Sequence, residues 1–368
     1  MVKTPVIQFG TSRFLQAHAD LFLSEGDPAR AITVVQTSGD AARSRRLAAL
    51  AAPEGYPVRI RGLADGRAVD ETRIVTSVKR CLSAAADWPE VVRVFVEEAE
   101  FVLSNTGDAG YQPRPEDGER AYHPAMSYPA KLYHLLATRH AAGARPPVMM
   151  PMELVVDNGK VLKEAVLAVA TAQESSPDLL SYIEKDVVWA CSLVDRIVSE
   201  PIEPAGAVAE PYALWAIQKD AGVVAPSMHP AIELVGDLKD IERLKLHILN
   251  LGHTVLVAIW HRQGGKGDPI VREFITRPEV LEELTAIYRE EVLPVFASLA
   301  QREAAERYMA VTLERFANPY LDHRLADIAQ NHPQKVERRI GAFIKLAHEA
   351  GEEGQQGRLG EIVASVAG

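Results

Sequence analysis

Near the amino terminus the chain reads Val6-Ile-Gln-Phe9-Gly10-Thr11-Ser12-Arg13-Phe14-Leu15-Gln-Ala17-His18. A short apolar run that stops at a glycine is the pattern of a buried strand, and the residues from Ser12 to about Leu23 have helical spacing. A strand, a sharp turn and a helix form a unit that binds pyrophosphate. Gly10 lets the backbone turn, and a helix amino terminus attracts negative charge. The usual G-x-G-x-x-G spacing is incomplete, because Ser12 and Leu15 stand where two glycines would be. An ordinary strand-to-helix turn has the same outline. Gly10, Thr11, Ser12, Arg13 and Phe14 are the candidate cofactor-binding residues of this turn.

Working outward, Ile32–Gln36 reads as a second strand, and Thr37-Ser-Gly-Asp40 leads into a helix. A carboxylate just after this strand holds the adenosine ribose of NAD in dinucleotide-binding folds. Asp40 is the candidate, with a plain helix cap as its other reading, and Thr37 lies beside it. Arg43, Arg45 and Arg46 leave NADP open as the less expected cofactor. Tyr56 to Thr76 alternates apolar and charged residues around Gly62 and Gly66, as short antiparallel strands do. Phe101–Ser104 predicts another strand, running into Asn105-Thr106-Gly107. Loops at strand carboxyl ends line the ligand crevice of such sheets, so Asn105 and Thr106 are candidates for the nicotinamide ribose. The same residues also spell a simple turn. Further strands are expected around Pro147–Val155 and Leu193–Val198, with helices at Trp88–Glu98, from Ser127, at Lys160–Gln173 and over Pro177–Trp189. This alternation predicts an α/β Rossmann-type, doubly wound, mostly parallel sheet. Prolines and glycines cluster between Pro201 and Pro230 and suggest a junction. Residues 1–228 then form the dinucleotide-binding domain and 229–368 an all-α substrate-binding domain, since the later periodicity is helical throughout.

The second domain opens with Glu242-Arg-Leu-Lys245-Leu-His-Ile-Leu-Asn250-Leu-Gly-His253-Thr-Val-Leu-Val-Ala-Ile-Trp260. A helix this apolar on every side is a buried one. At about 100° per residue Lys245, Asn250 and His253 fall at roughly 0°, 140° and 80°, over about 12 Å of axis, so one cavity can collect all three. A core lysine paired with Glu242 is the plain explanation. The chemical one is a desolvated amine that takes and returns a proton, with Asn250 and His253 holding the reacting oxygen.

Composition narrows the function. With 368 residues the chain can build two cores, and a formal net charge of −10 argues against a nucleic-acid surface. The two cysteines, Cys81 and Cys191, fit no metal or redox spacing, and the eleven histidines form no zinc-ligand pattern, so no metal is expected. No signal segment and no run of about eighteen apolar residues is present, which points to a cytoplasmic enzyme without a membrane partner.

Taken together, these motifs resemble the mannitol dehydrogenase family of polyol-specific long-chain dehydrogenases. Lys245-x4-Asn250-x2-His253 with Glu242 is similar to its catalytic signature, and Ile7-Gln-Phe-Gly10-Thr-Ser-Arg-Phe14 to its phosphate-binding turn. Leu103-Ser-Asn105-Thr106, Ser127-Tyr-Pro-Ala-Lys131, Pro151-Met-Glu153-Leu and Val194-Asp195-Arg196-Ile197-Val198 resemble its tagaturonate and fructuronate reductase branch, and Glu210-Pro-Tyr-Ala-Leu-Trp215 and Glu314-Arg315-Phe316-Ala-Asn318-Pro319 resemble the family as a whole. The resemblance implies metal-free, NAD(H)-linked interconversion of a sugar alcohol or aldonate with the corresponding ketose or ketouronate. It assigns Lys245 as general acid/base, Asn250 and His253 as polarising groups and Glu242 as a proton gate. Glu153, Asp195, Arg315, Asn318 and His323 become substrate-binding candidates. The sequence departs from the family at Ser12 and at Leu154, where mannitol enzymes carry an asparagine. A non-redox sugar-acid epimerase or isomerase using Lys245, and a nucleotide-sensing module, are the competing readings. The expected partner is a small-molecule polyol or sugar acid, and the expected assembly a monomer or small homo-oligomer.

Overall fold

A computed structural model describes residues 2–37, 44–107 and 110–366. The chain divides into two compact units: Met1–Ile60 with Glu71–Leu238, and Arg61–Asp70 with Lys239–Gly368.

In the first unit, β1 (Val6–Phe9) and β2 (Ile32–Gln36) are buried at every position. Strands buried at every position belong in a parallel sheet covered on both faces. The chain then makes β3 (Tyr56–Ala64) and β4 (Arg67–Val75), a hairpin whose tip belongs to the second unit. It returns to the sheet as β5 (Val78–Ser83), β6 (Phe101–Ser104), β7 (Val148–Pro151) and β8 (Val188–Trp189). The six-stranded sheet runs β5-β2-β1-β6-β7-β8, and each neighbouring pair is parallel. With the hairpin set aside as an insertion, its strands taken in chain order lie 3-2-1-4-5-6, the doubly wound Rossmann arrangement. Helices Trp88–Glu97, Tyr128–Ala141 and Asn158–Ala172 cover it with residues one helical turn apart, such as Val91, Val94 and Phe95, or Leu162, Val166 and Ala170. Each such side chain contributes about 1.5–3 kcal/mol by leaving water.

β9 (Ser192–Asp195), β10 (Val198–Pro201), β11 (Ala207–Ala209), β12 (Leu214–Gln218) and β13 (Ile232–Val235) complete the unit in two smaller sheets. The proline- and glycine-rich stretch expected to be a junction therefore carries two of these strands, β11 and β12, and the division falls at Leu238. Its special residues serve close packing instead. A Cβ on Gly206 would lie 2.2 Å from the Pro57 carbonyl oxygen. The Asn158-Gly159 pair starts a helix. The buried Asn158 amide donates to Pro151, Glu153 and Ser192 carbonyls at 2.9–3.1 Å and accepts from the Ser192 N–H.

The second unit is helical apart from the hairpin tip. Leu238–Leu244 is α-helical, Lys245–Asn250 is π-helical, and Leu251–Arg262 is α-helical again. Two further π turns, Ile287–Val292 and Glu337–Gly341, interrupt the later helices. Among the described residues no helix is long and apolar enough to cross a membrane.

Candidate active site

In the first unit, a candidate site lies at the carboxyl ends of β1, β2 and β6. A cleft of roughly 350 Å³ is lined by Gly10, Thr11, Ser12, Gln36, Thr37, Arg46, Asn105, Thr106 and Gly107. The strand order reverses between β1 and β6, and that switch point is where open α/β sheets bind ligands. Gly10 is required there twice over. Its φ is +120°, and a Cβ would come within 2.6 Å of the Asn105 carbonyl oxygen. Ser12, in place of a glycine, caps the short helix Arg13–Gln16: its hydroxyl accepts the Leu15 N–H at 3.2 Å.

Glu153 shapes the opposite wall. Its buried carboxylate accepts from the Ser104 hydroxyl at 2.9 Å, the Thr106 N–H at 2.9 Å, the Thr106 hydroxyl at 3.1 Å and the Tyr111 hydroxyl at 3.0 Å. A buried carboxylate needs such donors, and here they come from the loop that follows β6. Burial, with the Glu153 charge behind it, raises the Tyr111 phenol above its ordinary range and keeps it a donor. The neighbouring Asn105 amide donates to the Met152 carbonyl at 3.0 Å. Glu153, expected to meet substrate, has its oxygens engaged by Ser104, Thr106 and Tyr111.

Other expected contacts lie elsewhere. The Arg13 guanidinium donates to the Ile202 and Gly206 carbonyls at 3.0 and 2.9 Å and pairs with Glu203 at 2.6 Å, and Phe14 stacks on His18 at 4.6 Å. Neither lines the cleft, because the turn past Gly10 directs both side chains to packing roles within the first unit. Asp195 is buried on β9 and does not line the cleft either. His18, nearby, donates Nε2–H to the Leu214 carbonyl at 2.9 Å, and burial pushes its pKa down to about 3. Asp40 and Arg43 lie outside the described residues, as does the Arg45 side chain. Arg46 and Gln36 do line the cleft. Gln36 escaped the sequence reading, although it ends a parallel strand at the crevice edge and that position was its signal.

The helical unit, taken by itself, carries a second group of candidate residues. The α-helical wheel does not hold across the π turn. In π geometry hydrogen bonds run i to i+5, so Lys245 and Asn250 come nearly into line, a full turn apart. Both are half-buried, as is Glu242, whereas His247, Ile248 and Leu249 between them are buried. The fully buried lysine expected from the apolar run is thus a half-buried one. His253 follows, its ring 4.4 Å from Phe316 and 5.1 Å from His323. Burial drives its pKa well below the usual histidine value, and His323, Arg339, Arg315 and Lys335 push the same way. His323 is lowered too, by burial and by Lys335 and against the pull of Asp327. Both rings are neutral at neutral pH, with one donor and one acceptor nitrogen each. Arg315 is buried at the end of helix Arg302–Phe316. Asn318, also buried, accepts the Tyr320 N–H at 3.0 Å. Lys335 and Arg339, which no motif singled out, complete a group of basic side chains around His253.

A nucleotide cleft at the switch point of a Rossmann sheet, in one chain with a helical unit bearing this lysine, is the layout of a dinucleotide-dependent oxidoreductase. Comparison with known proteins agrees. The model of the mannitol dehydrogenase Rossmann domain matches residues 4–229, and that of the mannitol dehydrogenase C-terminal domain matches residues 237–367. The chain belongs to the mannitol dehydrogenase family and is an oxidoreductase acting on CH–OH groups. Altronate oxidoreductase of Klebsiella pneumoniae subsp. pneumoniae is 33% identical over 365 residues, covering 91% of this chain and 73% of the relative. Altronate oxidoreductase of Bacillus subtilis is 29% identical over 382 residues, covering 94% and 76%. A substrate-free D-sorbitol dehydrogenase shares the fold with a TM-score of 0.80 at 20% identity, over 99% of this chain and 80% of that one. Pseudomonas fluorescens mannitol 2-dehydrogenase, solved with NAD and D-mannitol, does so with a TM-score of 0.69 at 17% identity, over 99% and 79%.

Proposed function

We propose that the protein is an NAD(H)-dependent dehydrogenase that interconverts an aldonate with its ketouronate, with Lys245 as the general acid/base. The observation that carries the reading is the π turn, which lines Lys245 up with Asn250 and is followed by a neutral His253. In the oxidative direction the Lys245 amine accepts the hydroxyl proton while the hydride leaves the same carbon. The Asn250 amide and the His253 ring hold the oxygen as it becomes a carbonyl. Glu242, on the preceding α-helical segment, passes the proton toward solvent. Gly10, Thr11, Ser12, Thr37, Asn105 and Thr106 would hold the dinucleotide, which supplies the hydride acceptor. Arg46 in the same cleft keeps a 2′-phosphate within the range of ligands to be tried. An acid is favoured over a neutral polyol because Arg315, His323, Lys335 and Arg339 surround His253, and the charges that depress its pKa would be offset by a substrate carboxylate. The altronate oxidoreductases among its relatives support the same class.

The test is absorbance at 340 nm with D-altronate, D-mannitol and D-arabinitol, each with NAD and with NADP. The reading expects reduction of NAD by altronate, with kcat/KM at least about tenfold above that for mannitol, on the scale of a charged hydrogen bond. Absence of turnover on every substrate with either cofactor overturns it. Exchange of substrate protons without net cofactor reduction would instead identify a sugar-acid epimerase.

A further inference from the structure

We propose that Tyr288 and Arg339 are positioning residues that brace the π turn Lys245–Asn250 from outside and so set the aim of Lys245 and Asn250. A π turn is an uncommon geometry for a backbone that would otherwise be α-helical, and it persists where surrounding groups hold it. Two of its carbonyls receive side-chain donors from remote parts of the chain. The buried Tyr288 hydroxyl donates to the Ile248 carbonyl at 2.8 Å. The Arg339 guanidinium donates to the Asn250 carbonyl at 3.2 Å and to the Thr254 hydroxyl at 3.2 Å, and that hydroxyl donates to the same Asn250 carbonyl at 2.9 Å. The link is returned, since His247 Nδ1 donates to the Arg339 carbonyl at 3.2 Å.

Both braces come from π turns themselves, Ile287–Val292 and Glu337–Gly341. The middle of the helix is cut to admit one of them. A Cβ on Gly252 would stand 1.9 Å from the Tyr288 hydroxyl oxygen, so only glycine lets the phenol reach Ile248. This gives Gly252 a steric reason at a position where helix propensity favours almost any other residue. Both braces act through main-chain carbonyls, those of Ile248 and Asn250, in the turn that carries the Lys245 amine and the Asn250 amide. They act on the backbone between those groups.

The inference rests on the catalytic reading of Lys245 and Asn250, so one test reads the brace and another reads its effect on chemistry. The variants are Tyr288→Phe and Arg339→Met, with Arg339→Lys as the conservative change, all in the full chain. Hydrogen exchange followed by mass spectrometry reads the brace. Amides of 245–254 are expected to exchange roughly tenfold faster in Tyr288→Phe and Arg339→Met, the scale of one buried or charged hydrogen bond, while the β1–β6 amides are unchanged. Unchanged exchange at 245–254 in both variants overturns the brace, whether or not the enzyme turns over altronate. Kinetics with D-tagaturonate and either NADH or NADH deuterated at the transferred position read the effect. We expect kcat to fall roughly tenfold, a larger primary isotope effect, an unchanged NADH Kd and partial recovery in Arg339→Lys. Faster exchange with kcat and isotope effect both at the wild-type value overturns the positioning role. A fall in kcat without change in the isotope effect does so as well, because it reports only a smaller folded fraction. If wild type turns over no sugar acid, the catalytic reading fails while exchange still decides the brace.

Discussion

The two sets of candidate residues, one in each unit, are built in opposite ways. The nucleotide cleft of the first unit is formed by backbone at strand ends, set by Gly10 with φ +120° and by a loop fastened to Glu153. The proposed acid/base set of the second unit is formed by side chains on one helix, across a π turn whose carbonyls receive donors from Tyr288 and Arg339. A cleft made of backbone tolerates changes of side chain but not of turn geometry. A set of side chains on a helix tolerates neither a lost group nor a lost register. Damage to the first set should therefore appear in cofactor affinity, and damage to the second in kcat.

The sharpest break of this contrast is Gly10→Ala. The added Cβ meets the Asn105 carbonyl at 2.6 Å in a backbone conformation alanine rarely adopts. NADH affinity, followed by fluorescence titration, should fall by about a hundredfold or more, the scale of a few kcal/mol of backbone strain. Arg315→Met should come next. If the basic group around His253 receives a carboxylate, KM for altronate rises roughly tenfold or more while that for mannitol is nearly unchanged. Equal losses on both substrates would make Arg315 a packing residue. Glu153→Gln replaces an acceptor with an amide that cannot receive every donor now aimed at it. NADH Kd should rise roughly tenfold, with an isotope effect on turnover like that of wild type.

The smallest effect concerns stability. Burial raises the Asp20 carboxyl from 3.8 to about 7, against hydrogen bonds from Tyr56 and Gln8 that pull it down. A carboxyl whose pKa is higher folded than unfolded binds more protons in the folded state between those values, so stability falls as pH rises from about 4 to about 7. Asp20→Asn should flatten that slope in the thermal unfolding of the first unit and leave the second unit's unchanged.

Much of the fold was legible because its signals are local. The mostly apolar runs of β1 and β2, the glycine after β1 and the alternation of strands with helices specify a doubly wound sheet. The cleft residues from Gly10 to Ser12, with Thr37, Asn105 and Thr106, follow from that topology, since switch-point loops must line it. Four things were less visible. The Pro201–Pro230 stretch looked like a linker because prolines and glycines mark close packing as well as breaks. The engagement of Glu153 was not legible because its donors come from a neighbouring strand and the loop after it. Arg13 and Phe14 sit in the phosphate-turn motif but face away from the cleft. The π turn was invisible because the groups that brace it, Tyr288 and Arg339, are 40 and 89 residues away from their acceptors in sequence.

The central claim is that the Lys245 amine moves the proton. The direct measurement is single-turnover oxidation of D-altronate by Lys245→Ala, beside its NADH Kd. The account predicts a rate lower by about 10²–10⁴, the usual contribution of a general acid/base, with NADH bound as tightly as by wild type. A rate within twofold of wild type would contradict it.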